Sequence, residues 1–229
     1  MTSSPHPNSS QPVPSQDVGI YRNSVSVFLG AVVLFVVAMP FGQYLDDPGP
    51  LEGVLLTIVL ISGVFAVGGR RNSLLLAAAL ATPALVARWL WHYWPDPFLQ
   101  GLSLALGTAL LFQVIAQLLR FIVMAPRVDA EVLAAGVATY FVIGIVWAML
   151  YLFVGFMEPE AFQLSTGKAL DGFNALYFSF VTLTTIGYGD ISPVAPSART
   201  LAMLEAVTGI LFPAVLIARL VSMYTGRQE

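Results

Sequence analysis

The chain has 229 residues, of which 57% are hydrophobic and only 10% charged, with a mean hydropathy of +0.80. Soluble domains carry about 25% charged residues, so this composition is that of an integral membrane protein. A net charge of -3 does not suggest a nucleic-acid surface, and the lack of Cys excludes disulfides and thiolate chemistry, while two His leave little for a His-based metal site.

The N-terminal "MTSSPHPNSSQPVPSQD" is rich in Pro and Ser and has neither a basic flank nor an apolar core. Residues 1–22 are therefore expected to form a disordered cytoplasmic arm rather than a signal peptide. A membrane span needs about 20 mostly apolar residues. Six stretches meet or approach this, at roughly 25–45, 51–67, 73–94, 98–124, 132–156 and 200–224. Their breaks are the Pro-rich acidic "DDPGP" and "WPDP" and the basic "GGRRN".

With the N-terminus inside, Arg22, Arg70, Arg71, Arg120, Arg127, Arg219 and Arg227 gather at the cytoplasmic face. Arg88, Lys168 and Arg199 fall outside. The basic residues thus predict cytoplasmic termini. Asp46, Asp47, Glu52, Asp96, Glu158, Glu160, Asp171 and Asp190 then give a negative outer face that would concentrate cations. Trp89, Trp91, Tyr93 and Trp94 form an interfacial belt at the outer end of the third span.

Residues 23–127 read as a four-helix transmembrane domain. Its fourth span contains Arg120 alone, on one face with Gln113 and Gln117. One elementary charge is worth about 2.3 kcal/mol per 100 mV, so a voltage sensor needs a series of Arg that this span lacks. Strong voltage gating is not expected.

Residues 128–229 have a different organisation. After the fifth span, 157–171 form a polar outer turret. "GFNALYFSFVTLT" then stays apolar for about 13 residues, too short to cross but long enough for a re-entrant helix. "TIGYGD" follows, and "ISPVAPSAR" leads into the sixth span. Irregular backbone at membrane depth is tolerated only when buried in protein or lining a water-filled path. Gly187 and Gly189 make such backbone accessible, and successive carbonyls of 185–189 would face one axis. Carbonyl oxygens suit a monovalent cation that must shed its water without being held too tightly.

"TTIGYGD" resembles the signature of the potassium-channel pore-loop family, with Ile186 where Val is usual. The swap keeps a β-branched apolar side chain. The resemblance covers about 145–224 and implies an all-α integral membrane fold with six transmembrane helices and a re-entrant pore helix and filter between helices five and six. By that resemblance Thr185, Ile186, Gly187 and Tyr188 coordinate K+ through their carbonyls, and the Thr185 hydroxyl completes the innermost site. Gly189 closes the outer mouth, and Thr184 and Asp190 support the filter. Tyr177 stands where relatives have a pore-helix Trp that bonds the Asp190 equivalent. Either that bond or a solvated mouth acid fits Asp190. Val181 stands where some bacterial relatives carry a filter-backing acid.

Glu205 is the one acid deep in the apolar part of a span. Such a residue faces protein or water. It is either a carboxyl behind the filter, bonded near Ser179 or Thr182, or a protonated acid satisfied within its own bundle. Gly209 lies where related inner helices have a hinge glycine and Pro213 removes a helix hydrogen bond, yet a glycine also permits close helix packing. Thr208 and Phe212 are candidate cavity-lining residues.

One loop cannot surround an ion, and the chain carries one, so a homotetramer is expected, with membrane lipids as its other partners. The implied activity is passive, potassium-selective conduction, with K+ as the ion carried. No organic cofactor, enzyme chemistry, nucleic-acid partner or soluble regulatory domain in this chain is expected. The implied location is a cell membrane; compactness and the resemblance suggest a bacterial one. The alternatives are a pore-loop subunit of a potassium uptake transporter, whose loops usually come four to a chain, and a non-conducting membrane scaffold.

Overall fold

The computed structural model describes residues 18–66, 71–125, 127–167 and 169–225. Most of the N-terminal arm, together with Arg70, Lys168 and Arg227, lies outside the described residues.

Seven α-helices follow one another: α1 Val18–Ala38, α2 Gly49–Ala66, α3 Arg71–Tyr93, α4 Pro97–Met124, α5 Ala130–Met157, α6 Gly172–Leu183 and α7 Pro196–Thr225. All but α6 contain a stretch long and apolar enough to cross a membrane. The fold is thus an all-α membrane fold of six spans, with a short apolar helix between the fifth and the sixth. Helix α1 begins at Val18, inside the arm expected at 1–22, and it gives way to a 3-10 turn, Met39–Tyr44, around Pro40. Proline at that point removes an N–H that a continuing α-helix would use.

Asp residues start three of the helices. Asp96 caps α4 by accepting from Phe98 N at 2.7 Å, and Asp129 caps α5 by accepting from Glu131 N and Val132 N at 3.2 and 3.0 Å. Asp171 caps α6 by accepting from Asn174 N at 2.7 Å. Each carboxylate satisfies N–H groups that the first turn leaves without partners and sits at the positive end of the helix dipole.

Helices α1 to α4 pack through Phe28, Val32, Val59, Leu60, Ala77, Leu110 and Val114, all buried. The same core continues without a break into α5 and α6 through Ala138, Val142, Ile145 and Ala175. Helix α5 contacts both α1 and α4. The link from α4 to α5 covers only residues 125–129, so the four-helix domain lies against the outer helix of its own chain.

The turret is more ordered than the sequence suggests. Strand β1 (Phe162–Leu164) pairs antiparallel with β2 (Ile191–Pro193), with Leu164 opposite Ile191 and Phe162 opposite Pro193. Phe162, Leu164 and Ile191 bury against Tyr151 and Phe178, forming a second small core at the outer end of the pore helix. A three-residue strand is too short for its alternation to stand out in sequence.

Candidate ion-conducting site

Helix α6 ends at Leu183, and the chain from Thr184 turns back along it. The backbone N–H groups of this segment point inward to the helix. Thr184 N donates to Phe180 O, Thr185 N to Thr182 O and Ile186 N to Val181 O, at 3.0, 2.9 and 3.0 Å, and Gly187 N reaches the same Val181 carbonyl at 3.3 Å. The last carbonyls of α6, which no longer have a helical partner, are satisfied in this way.

Every second residue of the segment has a positive φ: Thr185 +59°, Gly187 +59° and Gly189 +78°. Alternation of backbone hand turns successive carbonyls to one side, whereas an ordinary strand alternates them between two. Glycine takes the left-handed region freely, but Thr185 does so against its Cβ, a conformation that the sequence pattern did not announce. Among the described residues, no protein donor reaches the carbonyl oxygens of Thr185, Ile186, Gly187 or Tyr188. Residues 184–190 are all exposed in the single chain, Ile186 at 55% and Tyr188 at 69%. The segment therefore presents a row of unpaired, one-sided carbonyl oxygens, the chemistry that replaces the water shell of a monovalent cation.

The outer end of this row is pinned by the ribbon. Ser165 N donates to Asp190 O at 2.9 Å, Val194 N to Ala161 O at 2.8 Å, and the Ser192 hydroxyl to Gly189 O at 3.4 Å. Tyr177 and Asp190 lie close enough within the chain to interact electrostatically.

Behind the pore helix, Glu205 is completely buried and bridges three helices. Its Oε1 lies 2.5 Å from the Ser179 hydroxyl of α6, and its Oε2 accepts from the Tyr151 hydroxyl of α5. Ser179 also donates to the Gly144 carbonyl of α5, at 2.7 Å. Of the two partners expected, Ser179 is the one that Glu205 meets. Tyr151 was not expected, because nothing in an apolar run shows which tyrosine turns inward.

Phe212 stacks on Tyr140 of α5, with ring centroids 6.0 Å apart and planes at 24°. Its half-exposed ring is engaged with the outer helix. Glu205, Gly209 and Phe212 share that inward face, as spacings of four and three residues require. Thr208 is half-exposed, its hydroxyl donating back to Leu204 O at 2.8 Å. Gly209 packs on the end of α6, and α7 runs as one helix through both Gly209 and Pro213.

A second polar group links the four-helix domain to the pore helix. The Arg88 guanidinium lies 3.7 Å from Glu52, donates to Gly49 O at 3.2 Å and sits 5.1 Å above the Trp91 ring. The Glu52 carboxylate lies against Gly172, where α6 begins. These residues border a cavity of about 370 Å³ whose wall includes Leu56, Met149 and Leu176. The sequence placed Glu52 and Arg88 only as outer charges.

Residues 135–226 match a protein-family model described as "Ion channel". The chain is similar in this way to ion channels, and to proteins named as potassium channels. The chain is 39% identical over 71 residues to "Two pore potassium channel c" of Oryza sativa subsp. japonica, covering 31% of this chain and 16% of that protein. It is 36% identical over 86 residues to "Inward rectifier potassium channel Kirbac3.1" of Paramagnetospirillum magnetotacticum, covering 38% and 27%. With "Probable potassium channel protein 2" of Methanocaldococcus jannaschii it shares 42% identity over 50 residues, covering 22% and 15%. The chain therefore spans a third or less of the length of these relatives. No solved structure matches the chain.

Proposed function

We propose that this protein is a potassium-selective channel in which four copies of the pore module surround one conduction path. The observation that carries the reading is the row of carbonyl oxygens at Thr185–Tyr188, free of protein donors while the N–H groups beside them are bound to α6. Unpaired backbone cannot face lipid, because each unsatisfied group costs several kcal/mol there. It must line an aqueous path, and one strand of carbonyls closes around an ion only when other copies supply the remaining sides.

The distribution of burial agrees. Only 11% of the α7 span is buried within the chain, against 56% of the α5 span. Met203, Val207, Ile210 and Val215 are more than half exposed, which leaves an apolar face for neighbouring inner helices or lipid. Gly189 and Asp190 form the outer mouth in this reading, with Thr184 and Tyr177 as supports, and K+ is the ion carried. Conduction is passive: the matched family is an ion-channel family rather than an enzyme family.

Voltage exerts weak control in this reading, because the α4 face that would carry charge is occupied by neutral ties. Gln113 donates to Ser73 O at 3.0 Å and Gln117 to the Ser73 hydroxyl at 3.4 Å. Arg120 alone is charged there, and it is exposed at the end of the row, contacting Met124. The location is a cell membrane, with both termini cytoplasmic according to the distribution of Arg.

Reconstitution in liposomes tests the proposal. A potassium gradient should drive a flux that sodium does not support, and cross-linked protein should run as a tetramer. A monomer without flux would leave the scaffold reading; a flux that requires a second polypeptide would point to a transporter subunit.

A further inference from the structure

The buried group behind the pore helix has more acceptors than a carboxylate would permit. The Ser179 hydroxyl carries one proton and faces two oxygens, the Gly144 carbonyl at 2.7 Å and Glu205 Oε1 at 2.5 Å. A carbonyl only accepts, and an ionised carboxylate only accepts. If Glu205 were ionised, one of these two short contacts would set lone pairs against lone pairs in a fully buried site. Ser179, Glu205 and Tyr151 all have side chains enclosed within one chain, so a neighbouring copy cannot supply the missing donor.

We infer that Glu205 is a neutral acid that donates its own proton to Ser179, and that Tyr151 is the residue that positions it. Each proton is then used once. Glu205 Oε1–H donates to Ser179 Oγ, Ser179 Oγ–H donates to Gly144 O, and the Tyr151 hydroxyl donates to Oε2. The relay ties α7 through α6 to α5 behind the strand of filter carbonyls.

Ionisation would break this order. Ser179 would have to turn its proton to Glu205 and release Gly144 O, which removes this polar tie between α6 and α5. The titratable groups that face Glu205 are Tyr151 and Tyr140, both on α5. Ser179, the partner on α6, carries no charge. Among the described residues, no cation comes within ion-pair distance of Glu205. The Ser179 and Tyr151 hydroxyls could each donate to a carboxylate, but full burial without a counter-charge disfavours one, and a Ser179 proton given to Glu205 is lost to the Gly144 carbonyl.

The inference rests on the channel reading only for its effect on conduction, because the proton itself can be observed in non-conducting protein. Infrared spectra of the purified full chain at neutral pH should show the carbonyl stretch of a buried carboxylic acid. Labelling with 13C-glutamate should shift that band, and Glu205→Gln should remove it. Tyr151→Phe removes the hydrogen bond to the carbonyl oxygen and should move the band to higher frequency without abolishing it. A glutamate-insensitive spectrum, or a band unmoved by Tyr151→Phe, overturns the assignment. In planar bilayers, raising the pH should change the open probability of wild type and leave Glu205→Gln unchanged. An identical pH response in both would overturn the link from the proton to the filter.

Discussion

Gly209 of α7 lies directly against the carbonyl of Leu183, the last residue of the pore helix. A Cβ on Gly209 would stand 2.7 Å from the Leu183 carbonyl carbon and would collide with its oxygen. Tyr140 of α5 reaches the same oxygen with its hydroxyl, at 3.4 Å. The inner helix, the outer helix and the end of the pore helix therefore meet at one backbone atom, just before the filter begins.

Gly209→Ala should strain this junction. Forcing a methyl group into a closed contact with backbone costs about 1–3 kcal/mol, since the neighbour cannot turn a rotamer to escape. The expected result is a tetramer that dissociates at a lower temperature than wild type and has a lower open probability. Thermal dissociation followed by size-exclusion chromatography measures the first effect, and an unchanged midpoint would show that α7 and α6 can separate freely.

Gly187→Ala attacks the filter itself. Gly187 has φ +59°, and a methyl group there would meet nothing within 4 Å in the single chain, so the cost is conformational rather than steric. An L-residue in that region costs about 1–2 kcal/mol, once in each copy. Potassium over sodium selectivity should fall, or conduction should cease. Bi-ionic reversal potentials decide it: a retained selectivity ratio would remove Gly187 from the filter.

Arg120→Gln should leave gating almost as it was. Arg120 is exposed and bonds Met124 of its own helix, while Gln113 and Gln117 are tied to Ser73. Conductance–voltage curves should be shallow in wild type and superimpose in the variant. A steep curve that flattens on substitution would identify α4 as a field sensor.

Glu205→Val leaves Ser179 and Tyr151 without their shared partner. A buried hydroxyl that loses its hydrogen bond costs about 1–3 kcal/mol. The variant should assemble but show altered open probability or faster inactivation in single-channel records. Glu205→Gln keeps both contacts, since an amide donates and accepts, and should be milder. Wild-type behaviour in both would make Glu205 a packing residue only.

Several features of this protein were already legible in the linear sequence. Hydropathy and length identified six spans and a shorter re-entrant helix, because a bilayer imposes a minimum apolar run on any helix that crosses it. Two glycines one residue apart located the irregular backbone, since few other residues reach that conformation. The carbonyl strand was legible for the same reason: its ligands are backbone atoms, set by local dihedrals. The side-chain contacts were not. Glu205 could be picked out as an acid in apolar surroundings, but its pairing with Tyr151, 54 positions away, depends on how α5 and α7 rotate against each other. The same rotation sets Phe212, a cavity candidate in the sequence, against Tyr140. Thr185 takes a left-handed conformation because the carbonyls of α6 hold the N–H groups around it. The Glu52–Arg88 pair against Gly172 arises where α2, α3 and α6 converge. Apolar helices offer many faces of nearly equal hydropathy, so only tertiary packing chooses which one turns inward.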